Sequence, residues 1–542
     1  MPKAKSKTKG IPSPHHYIYP GTKILKNKYG ETNLKLFLEK CSHDTEKALE
    51  VLRNEPLPEY FDSAYLCDIH YQLFKNTFEW AGNIRTVPFT FTDGSVAAMP
   101  EMKRTEWDNA FVTDKEILEN LQRLEKTLAE KDNLQGLTRE EFIFESVEMF
   151  ISLKNIHPFI DGNEHTEQFF FERLAKAAGH QLNFSLVTKE RMMTAYTQAA
   201  QYGNKQPMKD IFEDISNQEK IHVLQEFMNN MKELGRDMND HVVIAAKEGE
   251  TYTGIYQGAS FDGFVLNAQG TYIIGNQEHL PPEQIKTLKP GDTITFTAPK
   301  AEELKNILIP KETLAPLTKS EFDKILAESA RIQTARDQIQ HLSKIIYGNS
   351  KALHKQMIGI IKNPDLGQRL SDQIEHSPSS ICPLLGTSVF GLKNWARKNA
   401  EEHVHLLCTA IINYTDAVKY TRHAITQEHQ IEQNRRGKAV EKPSQNLQNL
   451  LCLSPEQQRE VLSQSPQLYQ ELRVFVRNLE HRLSSKEYNA IKHNDYETLA
   501  KSIGVSAQKA QEIVKTVQKA TDAHQQAYTR TINRSNALAM AS

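Results

Sequence analysis

His157, Asp161 and the pair Gly162-Asn163 fall within one short stretch, Ile156-His157-Pro158-Phe159-Ile160-Asp161-Gly162-Asn163-Glu164-His165. Each could do chemistry. A neutral imidazole is a competent base near pH 7. One carboxylate plus phosphate oxygens is a normal setting for magnesium. A Gly-Asn turn can aim backbone N–H groups at an anion, and the helix expected from about Glu164 offers its positive end to phosphate. Together these groups could move a phosphate-containing group onto a hydroxyl. The residue after Asn163 opposes that chemistry, because Glu164 brings a negative charge to the same place.

Two helices must position this loop. Thr138 and Glu141 have capping-box spacing, and Ile143, Val147, Phe150 and Ile151 recur on one helical face. Pro158 and Gly162 interrupt the pattern, so His157 to Asn163 is expected to be a loop. The second helix carries Phe169, Phe170, Leu174 and Ala178, with Gly179 as its C-cap; Phe169-Phe170-Phe171 is expected in the core. Upstream, Thr86-Val87-Pro88-Phe89-Thr90-Phe91-Thr92-Asp93-Gly94 predicts a hairpin turning at Asp-Gly. Trp80 is expected to be structural.

The remaining chain predicts a multidomain, mainly α protein. Residues 26–240 form a helical region behind a flexible N-terminal arm over 1–25. Runs at Thr251 to Tyr256, Thr271 to Ile274 and Thr293 to Thr297 predict a small antiparallel β-barrel domain over 241–312. From 313 to 542 the apolar spacing predicts a helical bundle. One long helix there is expected to carry Phe322, Ile325, Ile332, Ala335, Ile339, Leu342 and Ile346; further helices lie near Val404 to Tyr420 and Leu468 to Leu483. From Lys501 onward six basic residues face two acids, and the end of the chain is expected to be an unpacked tail. Lys+Arg (66) balances Asp+Glu (68), so no whole-chain field points to nucleic acid, and none is expected as a partner. Five scattered cysteines without a CxxC pair argue against a disulfide scaffold and for a reducing compartment.

The loop resembles the Fic-family signature, His-x-Phe-x-(Asp/Glu)-Gly-Asn-Gly-Arg-x-x-Arg, and Trp80-Ala81-Gly82 with Arg85 is similar to a second segment typical of that family. The opening Ser13-Pro14-His15-His16-Tyr17-Ile18-Tyr19-Pro20 and the overall layout resemble the Bep effectors of Bartonella. That resemblance implies an all-helical Fic fold with a β-hairpin flap, an OB-like β-domain, and a C-terminal antiparallel BID bundle with a basic tail. It implies that His157 is the base, Asp161 the magnesium ligand, Phe159 the loop's anchor, and Gly162 and Asn163 part of the anion hole. Glu164, His165 and Gln168 occupy the remaining nucleotide-binding positions. The flap, through Thr86, Val87, Phe89, Thr90 and Phe91, would register a target segment by strand pairing. The implied cofactors are Mg2+ and a nucleotide. The implied partners are the type IV secretion coupling machinery, a host target protein and a small antitoxin-like inhibitor, since no in-chain inhibitory helix is evident. Membrane contact would run through the BID region, and the implied route leads from the bacterial cytoplasm into the host cell.

The signature stops at Asn163. Glu164 stands where the family has Gly; His165 and Gln168 stand where it has Arg. A carboxylate about 4 Å from a phosphate charge repels by roughly 4 kcal/mol at an effective dielectric near 20. Losing a charge-assisted contact costs about 1.5–3 kcal/mol more. With half the repulsion relieved, roughly 3–5 kcal/mol remains, a hundred- to several-thousand-fold in affinity. ATP-dependent AMP transfer is therefore expected to be weak or absent. Three readings are open: a transferase with an altered donor, a docking module that has lost catalysis, and a metal-dependent hydrolase. The hydrolase would use His157, Asp161, Glu164 and His165, but Pro158 and Gly162 preclude the continuous helix such a ligand set needs.

Overall fold

The computed structural model describes residues 12–103, 111, 113–389 and 391–541, with side chains through residue 527. The chain divides into two compact units, residues 1–279 with 288–300, and residues 280–287 with 301–542.

The first unit contains α1 (Leu34–Asn54), α2 (Ser63–Phe74), a hairpin of β1 (Phe89–Thr90) and β2 (Val96–Ala97), α3 (Asp114–Glu130), α4 (Arg139–Ile156), α5 (Asn163–Ala177), α6 (Lys189–Tyr202), α7 (Gln206–Ser216) and α8 (Gln218–Glu233). The expected capping box opens α4: Thr138 Oγ1 accepts the Glu141 N–H while the Glu141 carboxylate accepts the Thr138 N–H. Ile143, Val147, Phe150 and Ile151 are all buried, as are Phe169, Phe170 and Phe171 on α5. Pro158 makes a right-handed helical conformation unfavourable at His157, so α4 ends there, with His157 in the left-handed region at φ 49°. Trp80 is fully buried and stacks on Phe78.

The N-terminal arm, expected to be flexible through residue 25, is tied down over its described part. Tyr17 is buried edge-on against Trp80 and Phe91. Residues 1–11 lie outside the described residues.

Five further strands complete this unit: β3 (Val242–Ala245), β4 (Thr251–Ala259), β5 (Gly263–Ala268), β6 (Thr271–Asn276) and β7 (Thr293–Thr297). Their order is β3-β6-β5-β4-β7, with β3 parallel to β6 and the other pairs antiparallel. The expected antiparallel barrel is thus an open mixed sheet. Its edge strands β3 and β7 do not pair with each other, and Val243, Ala245 and Ile274 join the core of the preceding helices. One of the boundaries between the two units lies between residues 300 and 301.

The second unit is helical with two cores. One is built mainly from Ala330–Tyr347, Leu366–His376 and the first half of Val404–Arg436; the other from Pro466–Arg482, Tyr496–Ile503 and Ala507–Ala541. The expected long helix over Phe322 to Ile346 is two helices broken at Ser329, whose extended backbone ends Lys319–Glu328 and begins the next. Ile325, placed on the apolar stripe, is consequently exposed. After Lys501 the chain packs through its first turns, with Ile513, Val514, Val517, Ala520 and Ala523 buried; the end of the chain, expected to be unpacked, lies beyond the described side chains. No helix among the described residues is long and apolar enough to cross a membrane, and all five cysteines are free thiols.

Candidate active site

The loop between α4 and α5 is held by its own asparagine. Asn163 is buried; its Oδ1 accepts the Phe159 N–H at 2.9 Å and its Nδ2 donates to the Phe159 carbonyl at 2.9 Å. The backbone N–H can only donate, so the orientation of the amide is decided. Nδ2 also lies 3.1 Å from His157 Nε2, and that ring nitrogen must therefore be the acceptor. This geometry leaves the ring lone pair on Nε2, and the imidazole stacks on Phe111 with centroids 3.9 Å apart.

Three neighbours fix this loop from outside. Arg85 is fully buried and donates from Nε to the His157 carbonyl at 2.8 Å, and from Nη1 to the Met99 and Pro100 carbonyls. His70 on α2 accepts the Gly82 N–H on Nδ1 at 2.7 Å, so its Nε2–H donates to the Asp161 carbonyl at 3.0 Å. Its ring stacks on Phe159 at 3.9 Å, and burial pushes it down to about 4. Gly162 takes φ 77°, and a Cβ there would lie 2.4 Å from Phe74. The Trp80-Ala81-Gly82 segment thus reaches the loop through His70, a residue that the sequence alone does not single out because a lone histidine on a helix carries no spacing signal.

His70 yields a pH prediction. Its folded form resists protonation that the unfolded chain accepts below about pH 6.5, so its contribution is present above that pH and lost as pH falls toward 4. The effect is roughly 3 kcal/mol. Glu167 and Glu172, raised by burial, act in the opposite direction over an overlapping range. The comparison is therefore with His70→Gln, whose amide can accept from Gly82 and donate to Asp161 without titrating. Urea unfolding should show wild type losing stability relative to this variant between pH 7 and 4. Parallel curves would refute the assignment.

Asp161 is exposed at the turn, and its Oδ1 accepts the Gly162 N–H at 2.7 Å. The surrounding protein still desolvates it enough to raise its carboxyl above the ordinary range, against the opposing pull of Gly162 and His165. An under-compensated carboxylate suits a shared cation. No cluster of three or more acidic, histidine or cysteine side chains that could hold a metal occurs among the described residues. Magnesium would therefore depend on Asp161 together with ligand oxygens, which is its usual habit.

A cavity of about 560 Å³ opens beside His157, lined by Met102, Lys103, Phe111, Lys154, Glu164, Met193 and Tyr196 among others. Glu164 faces this cavity, and Gln168 donates to its Oε1 at 3.3 Å. His165 is exposed, edge-on to Phe74, and does not line the cavity. Phe159 is buried under the loop. Below the cavity Glu167 is nearly fully buried, and burial pushes it up to about 7; Lys154 pulls the other way and Glu164 adds to the rise.

The flap pairs Phe89 with Ala97 and Thr90 with Val96 around the Asp93-Gly94 turn. Phe91 turns inward and is buried against Tyr17 and Phe89. Thr86 and Val87 precede the strand in a turn, where Val87 is exposed. The outer edge of β2 is occupied, since the Val96 carbonyl accepts from the Ser13 N–H and the His16 ring.

A model of the Fic/DOC family matches residues 60–175. The chain is 60% identical over 544 residues to a protein adenylyltransferase of Bartonella henselae, covering 100% of both chains. It is also similar in structure to the type IV secretion system effector BepA, with 67% identity and a TM-score of 0.53 over 54% of this chain and 98% of that one. The chain belongs to the Bep effectors, with a Fic domain. A probable protein adenylyltransferase Fic of Salmonella typhimurium is a more distant relative, 26% identical over 36% of this chain and 90% of its own. A model described as an intracellular delivery domain matches residues 244–296, which is the mixed sheet and not the C-terminal helices.

Proposed function

We propose that the Fic domain of this effector transfers a nucleotide-derived, phosphate-containing group to a hydroxyl of a host protein, with ATP a poor donor. The observation that carries the reading is the acceptor lone pair on His157 Nε2, held by Asn163 beside a cavity of nucleotide size. The hydroxyl oxygen bonds to phosphorus as the bond to the leaving phosphate breaks, and the hydroxyl proton passes to Nε2 once the Asn163 amide yields that position. Arg85 and His70 keep the loop in place, and Phe111 and Tyr196 offer flat surfaces to a base. Asp161 would hold Mg2+, whose role is to neutralise phosphate charge. Glu164, braced by Gln168 and facing the cavity, supports weak use of a triphosphate. The relative named protein adenylyltransferase supports AMP as the group transferred when ATP is used.

A second reading, docking without catalysis, is favoured by the same Glu164. In it the flap takes a host segment on the outer edge of β1, since β2 is covered, with Val87, Phe89 and Thr90 on the accessible side. Incubating the full chain and His157→Ala with host lysate and labelled nucleotides separates the readings. Label transfer lost in the variant supports catalysis. Strong transfer from ATP would refute the argument from Glu164. No transfer from any donor, with flap-dependent capture of one host protein, would favour docking.

For export, we infer that residues from about 313 onward engage the secretion coupling machinery. Removing residues 320–542 should abolish arrival in host cells; a truncated chain that still arrives would move the signal upstream, toward the sheet. After delivery, a membrane surface and an antitoxin-like inhibitor are the further partners this reading allows.

A further inference from the structure

The cavity beside His157 carries three ammonium groups, from Lys103, Lys154 and Lys189. Lys103 and Lys189 are exposed, and water and salt screen such charges strongly. Lys154 differs. It lies three residues before His157, and its side chain is only 14% exposed. Its ammonium sits 5.5 Å from the Tyr196 ring and 5.8 Å from that of Phe150, so an anion meeting it would do so where screening is least.

Its ion-pair partner among the described residues is Glu167, at 3.6 Å. That distance is beyond a good hydrogen bond. Glu167 is buried, and neither of its oxygens has a hydrogen-bond donor. Glu164, one turn earlier on α5, adds a like charge nearby. The pair is thus held by charge alone, and an acceptor able to approach Lys154 at about 2.8 Å would make a stronger, charge-assisted contact. The loop's own replacements cannot serve: His165 lies outside the cavity and Gln168 is spent on Glu164.

We propose that Lys154 is the cation that contacts the phosphate of a bound nucleoside phosphate, in place of the guanidinium groups absent at positions 165 and 168, and that Glu167 holds it in reserve until that anion enters. This rests on reading the cavity as the donor site, and it names a binding residue, Lys154, and a positioning residue, Glu167.

Calorimetric titration of the full chain with ADP and with adenosine, in the presence of Mg2+, tests it. Lys154→Met should weaken ADP binding about tenfold or more, the loss of one charge-assisted contact, and leave adenosine binding within about twofold. Lys154→Arg should retain ADP binding within about threefold, because it keeps the charge. Lys154→Met alone strands a buried carboxylate, so Lys154→Met/Glu167→Gln, which removes both charges, is the decisive variant and should show the same selective loss. Glu167→Gln alone should strengthen ADP binding several-fold, since the competing charge is gone. Equal ADP affinity in the double variant and wild type would overturn the proposal. So would a parallel loss for adenosine, or no ADP binding by wild type at about 5 mM, roughly the weakest affinity a single such contact could leave. Selective ADP binding without any transfer would sink the transferase reading alone; transfer undiminished in the double variant would sink this inference alone.

Discussion

Gly162→Ala should destabilise the first unit by roughly 2–5 kcal/mol, combining a left-handed conformation costly to any side chain with overpacking. The turn has φ 77°, and the new methyl would lie 2.4 Å from Cε2 and 2.6 Å from Cζ of Phe74. Phe74 is itself buried and packs on His70 and Phe78, so it cannot swing away cheaply. Urea denaturation followed by Trp fluorescence reads the effect, because Trp80 lies in the same core. Phe74→Ala combined with Gly162→Ala should cost less than the two separate losses added together, since the cavity left by the ring accepts the methyl. A Gly162→Ala protein as stable as wild type would mean the turn is not seated against that ring.

Asn163→Asp should abolish any His157-dependent transfer, by about a hundredfold or more, the usual worth of a positioned general base. The substitution keeps shape and one acceptor for the Phe159 N–H, but removes both amide donations, to the Phe159 carbonyl and to His157 Nε2. A carboxylate in that place can face Nε2 only if the imidazole supplies the proton, and a protonated Nε2 cannot take one from a hydroxyl. The facing carbonyl of Phe159 also loses its donor, a cost of about 1–3 kcal/mol. Nuclear magnetic resonance of ring-labelled histidine should show Nε2 of His157 unprotonated in wild type and protonated in the variant at pH 7. An unchanged signal would show that Asn163 does not govern this tautomer.

Local interactions were legible in the chain because local chemistry decides them. Thr138 with Glu141 closes a capping box, Asp93-Gly94 turns a hairpin, and the helical spacing of apolar residues marks the buried faces of α4 and α5. The order His157 through Asn163 identified the Fic loop, since its turn and donors lie within a few bonds of one another. The same reasoning joined two helices across Ser329, where apolar spacing continues through a cap that breaks the backbone; the inward packing of Phe91 on Tyr17 is set by a segment far away in sequence.

Sequence by itself determined the family and the helical character, because those depend on residue type and near spacing. Only the tertiary structure decided that β3 joins β6 in parallel, that His70 and Arg85 hold the loop, and that Lys154 and Glu167 meet beneath the cavity. These are contacts between separate elements, and neither periodicity nor motif order specifies which side chains of two packed helices come face to face.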